Sequence, residues 1–204
     1  MDILNIINLR KTYHTKDREY LAVDNFSLHI KEGEFIAIVG PSGCGKSTIL
    51  SILCGLEKQS EGNIEYDKNL KFGYMLQKDN LFEWRTIYKN CLLGLEIQKN
   101  LKEKAYVKKL IKTYGLEEFK NSYPSSLSGG MRQRAALIRT LATKPDIILL
   151  DEPFSALDFQ TRLKVSDDVY NIIKKEKKTA IMVTHDISED IFLINMTSIF
   201  VMFI

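Results

Sequence analysis

The sequence predicts an α/β fold built on a parallel-rich sheet, and three observations predict it. Short apolar runs alternate with stretches of helical spacing, the order that yields strand–helix–strand units. Two of the runs, EFIAIVG (34–40) and DIILLD (146–151), are apolar almost throughout, as strands covered on both faces are. The first of them ends at a glycine-rich loop, GPSGCGKST (40–48), which leads directly into a helical pattern.

Taken in order, ILNIINL (3–9) and FSLHI (26–30) read as early strands, and EFIAIVG as a buried one. STILSILCGL (47–56) has helical spacing and stops at a glycine. FGYMLQ (72–77) is a further strand. Residues 86–121 lack proline and carry the helical runs TIYKNCLLGLEIQ and KEKAYVKKLIKTYG. Gly115 stands where a helix-terminating glycine belongs. A helical pattern then opens at Met131 and runs to Ala142, with Ser128, Gly129 and Gly130 expected as a loop before it. DIILLD, the amphipathic helix 159–177, the strand TAIMVTH (179–185), a short helix and an apolar tail (191–204) complete the chain. The tail is expected to form one more strand.

Composition narrows the class. The 204 residues are 45% apolar and 27% charged, as in an ordinary globular protein with a real core. The net charge of +3 gives no reason to expect a nucleic-acid partner. KKLIK (108–112) and KKEKK (174–178) read as solvated helix faces. Three cysteines, Cys44, Cys54 and Cys91, without framework spacing point to a reducing compartment. No signal-peptide pattern opens the chain, and no run reaches the roughly 20 apolar residues of a membrane span.

The glycine loop matches G-x-x-x-x-G-K-[ST] between a strand and a helix, the context a phosphate-binding loop requires. Gly40, Gly43 and Gly45 let the backbone bend toward a ligand, and its N–H groups form an anion nest. Pro41, Ser42, Cys44 and Thr48 complete the candidate contacts. Lys46 offers its charge to the β- and γ-phosphates, Ser47 offers a hydroxyl to Mg²⁺, and the helix dipole points at the site. DIILLDEP (146–153) delivers Asp151 to the C-terminal end of a strand, the edge at which open α/β sheets bind ligands. Asp151 is the second candidate for the Mg²⁺ shell. Glu152, beside it, is the candidate general base for an attacking water.

LSGGMRQR (127–134) is a second anion-seeking segment, and it resembles the signature of the ATP-binding-cassette (ABC) ATPases. The other motifs of that family occur in order. Tyr13 in LRKTY resembles the aromatic that stacks on adenine, with Tyr20 as its competitor for the role. Gln77 resembles the glutamine that senses Mg²⁺ and the attacking water. SALD (155–158) resembles the loop that crosses to a partner subunit, and His185 in VTHD the histidine at the γ-phosphate. The resemblance covers residues 3–193. DNLFEW (79–84) and YPSSLSGGMRQRAALIRTL (123–141) are similar to the importer subunits of the nitrate, sulfonate and taurine group. Two departures stand out: Glu83 replaces a usual proline, and Met131 a usual glutamine.

The resemblance implies a P-loop NTPase: a RecA-like core (1–84 and 146–204) with N-terminal antiparallel strands, and a helical subdomain near 85–145. It implies an ATPase using ATP and Mg²⁺, with Glu152, His185, Gln77 and Lys46 catalytic and Ser47, Gln77 and Asp151 around the metal. Two such subunits are expected to pair head to tail, Ser128, Gly129 and Gly130 of one facing ATP held by the other. Membrane permease subunits and, indirectly, a solute-binding protein are the further partners, at the cytoplasmic face of the membrane. A C-terminus shorter than the family's is also expected. Two rivals remain at this stage: a non-hydrolytic nucleotide-binding module, and a soluble ABC ATPase outside transport.

Overall fold

Strand periodicity decides how the chain divides its apolar residues. In the computed structural model, residues 2–16 and 18–185 are described in full and 198–201 by backbone. The short helix expected after TAIMVTH lies outside the described residues. The chain opens with β1 (Asp2–His14), β2 (Glu19–Lys31) and β3 (Phe35–Val39). Helix α1 (Lys46–Leu53) follows, then β4 (Glu61–Tyr66) and β5 (Phe72–Met75). Next come α2 (Ile87–Ile97), α3 (Lys104–Thr113) and α4 (Gly129–Leu141). The chain continues through β6 (Ile147–Asp151), α5 (Phe159–Lys175), β7 (Thr179–Thr184) and β8 (Ser198–Val201).

Two sheets form. β2, β1 and β4 make an antiparallel sheet in that order, and β5-β6-β7-β3-β8 make a parallel one. β8 takes the edge beside β3, so the apolar tail does supply a strand. Side chains leave the parallel sheet alternately. Ile36, Ile38, Ile147, Leu149, Ile181 and Val183 pack on one face, with α1 and the antiparallel sheet. Ile148, Leu150, Ala180 and Met182 go to the other, where α2, α3, α4 and α5 cover them. Each buried side chain of this size contributes roughly 1.5–3 kcal/mol. The two covered faces explain why β3 and β6 read as unbroken apolar runs.

Helix ends follow local chemistry. Thr86 caps α2 by accepting the Lys89 N–H, and Asp158, the last residue of SALD, caps α5 by accepting the Thr161 N–H at 3.0 Å. Gly115, at φ 72°, ends α3 as expected. Two features differ from the sequence expectation. β4 was not foreseen. And Gly129 and Gly130 are not loop: they are the first two residues of α4, with Ser128 as the cap accepting the Met131 N–H at 3.4 Å. The reason is close packing. A Cβ on Gly129 would stand 2.7 Å from Leu157 Cδ2, and one on Gly130 2.6 Å from Val165 Cγ2.

Candidate nucleotide site

The loop after β3 is anchored before it turns. The Gly40 N–H donates to the Thr184 carbonyl at the end of β7, 3.2 Å away. Gly45 then adopts φ 93°, and a Cβ there would lie 2.0 Å from the Ala22 carbonyl oxygen of β2. Only glycine fits both conditions. Lys46, the first residue of α1, is 4% exposed. Its Nζ donates to the carbonyls of Gly40 (2.6 Å) and Pro41 (2.8 Å) and lies 3.8 Å from Cys44 Sγ. The ammonium is thus held inside the curl of the loop by neutral acceptors, which leaves its charge for an anion.

Asp151 ends β6 and is 8% exposed. Ser47 Oγ donates to its Oδ1 at 2.7 Å, and the Tyr74 hydroxyl from β5 donates to its Oδ2 at 2.8 Å. Burial, with the Asp151 charge beside it, pushes the Tyr74 phenol well above its ordinary pKa, so it stays a donor. Both donors to this buried carboxylate are neutral. A hydroxyl and a carboxylate in contact are hard oxygen ligands of the kind Mg²⁺ takes with one or two protein groups. The donor set therefore fits the metal that the phosphate loop implies.

Glu152 follows Asp151 and turns out of the sheet at φ 42°, its N–H held by the Val183 carbonyl at 3.0 Å. His185 Nδ1 lies 3.0 Å from its Oε2. Gln77 Nε2 donates to the same oxygen at 3.3 Å and to Ser155 Oγ at 3.2 Å. Histidine and glutamine, distant in sequence, thus converge on one carboxylate oxygen of Glu152. Gln77, expected at both the metal and the attacking water, gives its amide Nε2 to Glu152 and Ser155.

A cavity of about 340 Å³ is lined by Tyr13, Tyr20, Ala22, Ser42, Gly43, Gly45, Lys46, Ser47, Thr48, Gln77 and Glu152; Asp151 and His185 stand behind this lining, bonded to Ser47 and Glu152. Tyr13 and Tyr20 are cross-strand partners in β1 and β2, so the two tyrosines that competed for one role both line it. The Tyr20 hydroxyl donates to the Gly43 carbonyl at 3.0 Å, and Lys11 Nζ sits 4.7 Å over the Tyr13 ring. Tyr74 was missed from sequence, because only the register of β5 on β6 brings it here; Ser155, read from sequence only as part of SALD, reaches Gln77 from the turn after β6. Ser128, Gly129 and Gly130 do not line this cavity. They sit at the start of α4, against Leu157 and α5.

The segment after Gln77 presents Trp84, 75% exposed and stacked on Phe82 at 4.8 Å. It is tied to α4 by Arg132, whose fork donates to both Asp79 oxygens (2.8 and 3.1 Å) and to Glu83 Oε1 at 2.9 Å. Glu83, the departure from proline, is therefore an ion-pair partner of the LSGGMRQR helix. Met131, the other departure, is half-buried and packs against the core on the helical side of the sheet. Among the described residues no helix is long and apolar enough to cross a membrane.

Comparison with known proteins gives consistent matches. Residues 23–155 match the family model described as ABC transporter. The uncharacterized ABC transporter ATP-binding protein YtlC of Bacillus subtilis (strain 168) is 47% identical over 199 residues, 94% of this chain and 76% of that protein. The aliphatic sulfonates import ATP-binding protein SsuB of the same organism is 40% identical over 191 residues, 91% of this chain and 74% of that one. Among solved structures, the ATP-binding cassette MJ0796, in a dimeric post-hydrolysis state bound to ADP and Pi, superposes with a TM-score of 0.74. It is 34% identical, and the match covers 93% of this chain and 90% of that chain.

Proposed function

The chain belongs to the ABC transporter family as an ATP-binding subunit, and from that premise we propose that it hydrolyses ATP to drive import of a small anion or organic solute. The observation that carries the reading is the convergence of Lys46, the Ser47–Asp151 pair and Glu152 around one cavity. ATP fits it with its base against Tyr13 and its phosphates in the N–H nest of the loop, Lys46 turning from the Gly40 and Pro41 carbonyls to the β- and γ-phosphates. Ser47 and Asp151 would hold Mg²⁺, which when bound neutralises phosphate charge. Glu152 accepts a proton from water as the water oxygen attacks the γ-phosphorus. The bond to the β-phosphate oxygen breaks, leaving ADP and phosphate. His185 and Gln77, already on the Glu152 carboxylate, orient that base.

Sulfonate import as the cargo class rests on the SsuB relatives. Head-to-tail pairing with a second copy is supported by the placement of Ser128–Gly130 away from the chain's own cavity. Permease subunits would meet the exposed Trp84 and Phe82 surface, and a solute-binding protein would act through them, at the inner face of the cell membrane.

Glu152→Gln tests the chemistry. The variant is expected to bind ATP as the parent does and to lose about 10²–10⁴-fold in turnover. Parent-like turnover would remove Glu152 from its role, and absence of ATPase activity in the parent would favour a non-hydrolytic module.

A further inference from the structure

We infer that Tyr74 is a positioning residue that sets the orientation of the Asp151 carboxylate for Mg²⁺. The inference rests on the nucleotide reading above. The two carboxylate oxygens have different partners: Oδ1 accepts from Ser47 on α1, and Oδ2 from Tyr74 on β5. Rotation of a carboxylate about its terminal bond is soft, with a broad two-fold profile. One hydrogen bond leaves that rotation loose, and two from opposite sides define it. The second anchor is itself held. The Tyr74 ring packs on the core that contains α1.

A purely space-filling tyrosine would need none of this, because phenylalanine fills the same ring volume. The hydroxyl is what reaches Asp151. By occupying Oδ2 it commits Oδ1 to the side of Ser47, the side on which the metal would be shared. Outer partners that orient a ligating carboxylate typically change metal affinity by about 10–100-fold when lost.

The test titrates MgCl₂ into the full chain with a non-hydrolysable ATP analogue, so no turnover is needed. In Tyr74→Phe the Mg²⁺ concentration that half-completes tight binding rises roughly tenfold, while affinity for the analogue in excess chelator stays at the parent value. Tyr74→Met, which also lacks a hydroxyl, is measured in parallel and shifts in the same direction. An unmoved Mg²⁺ midpoint in either folded variant overturns the inference. So does an equal loss of affinity in chelator, which marks a structural role. A parent chain that binds the analogue with no Mg²⁺ dependence overturns it too, leaving nucleotide binding in place. A parent that binds no analogue overturns the nucleotide reading itself.

Discussion

Glu152 holds a left-handed backbone, φ 42°, at the residue assigned the proton. Such a conformation costs a non-glycine residue about 1–2 kcal/mol. It is held by the Val183 carbonyl and by His185 and Gln77 on its side chain. Glycines at this scale can be separated by their surroundings. Gly45→Ala drives a Cβ into a backbone oxygen of β2 that cannot yield, whereas Gly43→Ala meets nothing within 4 Å and suffers only its φ of 86°. Gly43→Ala is expected to cost about 1–2 kcal/mol. Gly45→Ala should cost more than about 3 kcal/mol and abolish analogue binding. Thermal unfolding and an analogue titration check both. Most site residues were legible because they sit in contiguous motifs whose spacing has a chemical reason. Tyr74 was not, because its meaning depends on β5 lying beside β6, and no local pattern encodes that neighbour.

Elements explain what propensity misreads. Two adjacent glycines argue against helix, each costing roughly 1 kcal/mol relative to alanine, yet α4 begins with them. Proximity of α5 overrides the local preference. Gly130→Ala gains helix propensity but presses a Cβ against Val165, a stiff β-branched side chain. The expected net effect is destabilisation by about 1–3 kcal/mol, partly recovered in the double variant Gly130→Ala/Val165→Ala. A denaturation cycle over the four proteins measures the coupling, and strict additivity would refute the packing account. β4 was unreadable for the opposite reason: EGNIEY is exposed except for the half-buried Ile64, so burial leaves no alternating pattern.

The Arg132 fork belongs to the same scale. Burial alone raises the Asp79 carboxyl, but hydrogen bonds from Arg132 and the Leu81 N–H, with the Arg132 and Arg139 charges, outweigh it and hold the group below its usual range. A depressed folded-state pKa adds stability that is present above the unfolded pKa. That stability is lost as pH falls through the folded one, below about pH 4. Asp79→Asn should therefore be less stable by about 1–3 kcal/mol at pH 7, and should flatten this part of the acid dependence. Stability measured from pH 3 to 7 for both proteins decides it.

At the scale of the molecule, the parallel sheet separates two tasks. One face carries α1 and Tyr74, hence the phosphate loop and the Asp151 network; the other carries α2 through α5, with α4 tied to the Trp84 segment. The unbroken apolar runs, separated by stretches of helical spacing, made the sheet itself legible. The antiparallel sheet that walls the cavity with Tyr13 and Tyr20 was only half foreseen, because strand pairing is a long-range property. Pairing of two chains has its own test. Glu152→Gln with ATP and Mg²⁺ should sediment as a dimer. Adding Ser128→Arg should weaken that association by more than about tenfold, as a clash at an interface centre does, with analogue binding unchanged. A dimer that survives Ser128→Arg would place the interface elsewhere.

The contacts of Gly129 with Leu157 and of Gly130 with Val165 carry one more consequence. They clamp the start of α4 to the SALD segment and the α5 that it caps, with no room for a methyl group between them. In the head-to-tail pair proposed above, the Ser128–Gly130 end of this clamp would face the nucleotide held by the second copy. Because the clamp lets neither slide alone, the pair would behave like two gears on a common shaft. Release of one nucleotide would then be felt at the other through a short run of side chains, without any signal having to cross the sheet.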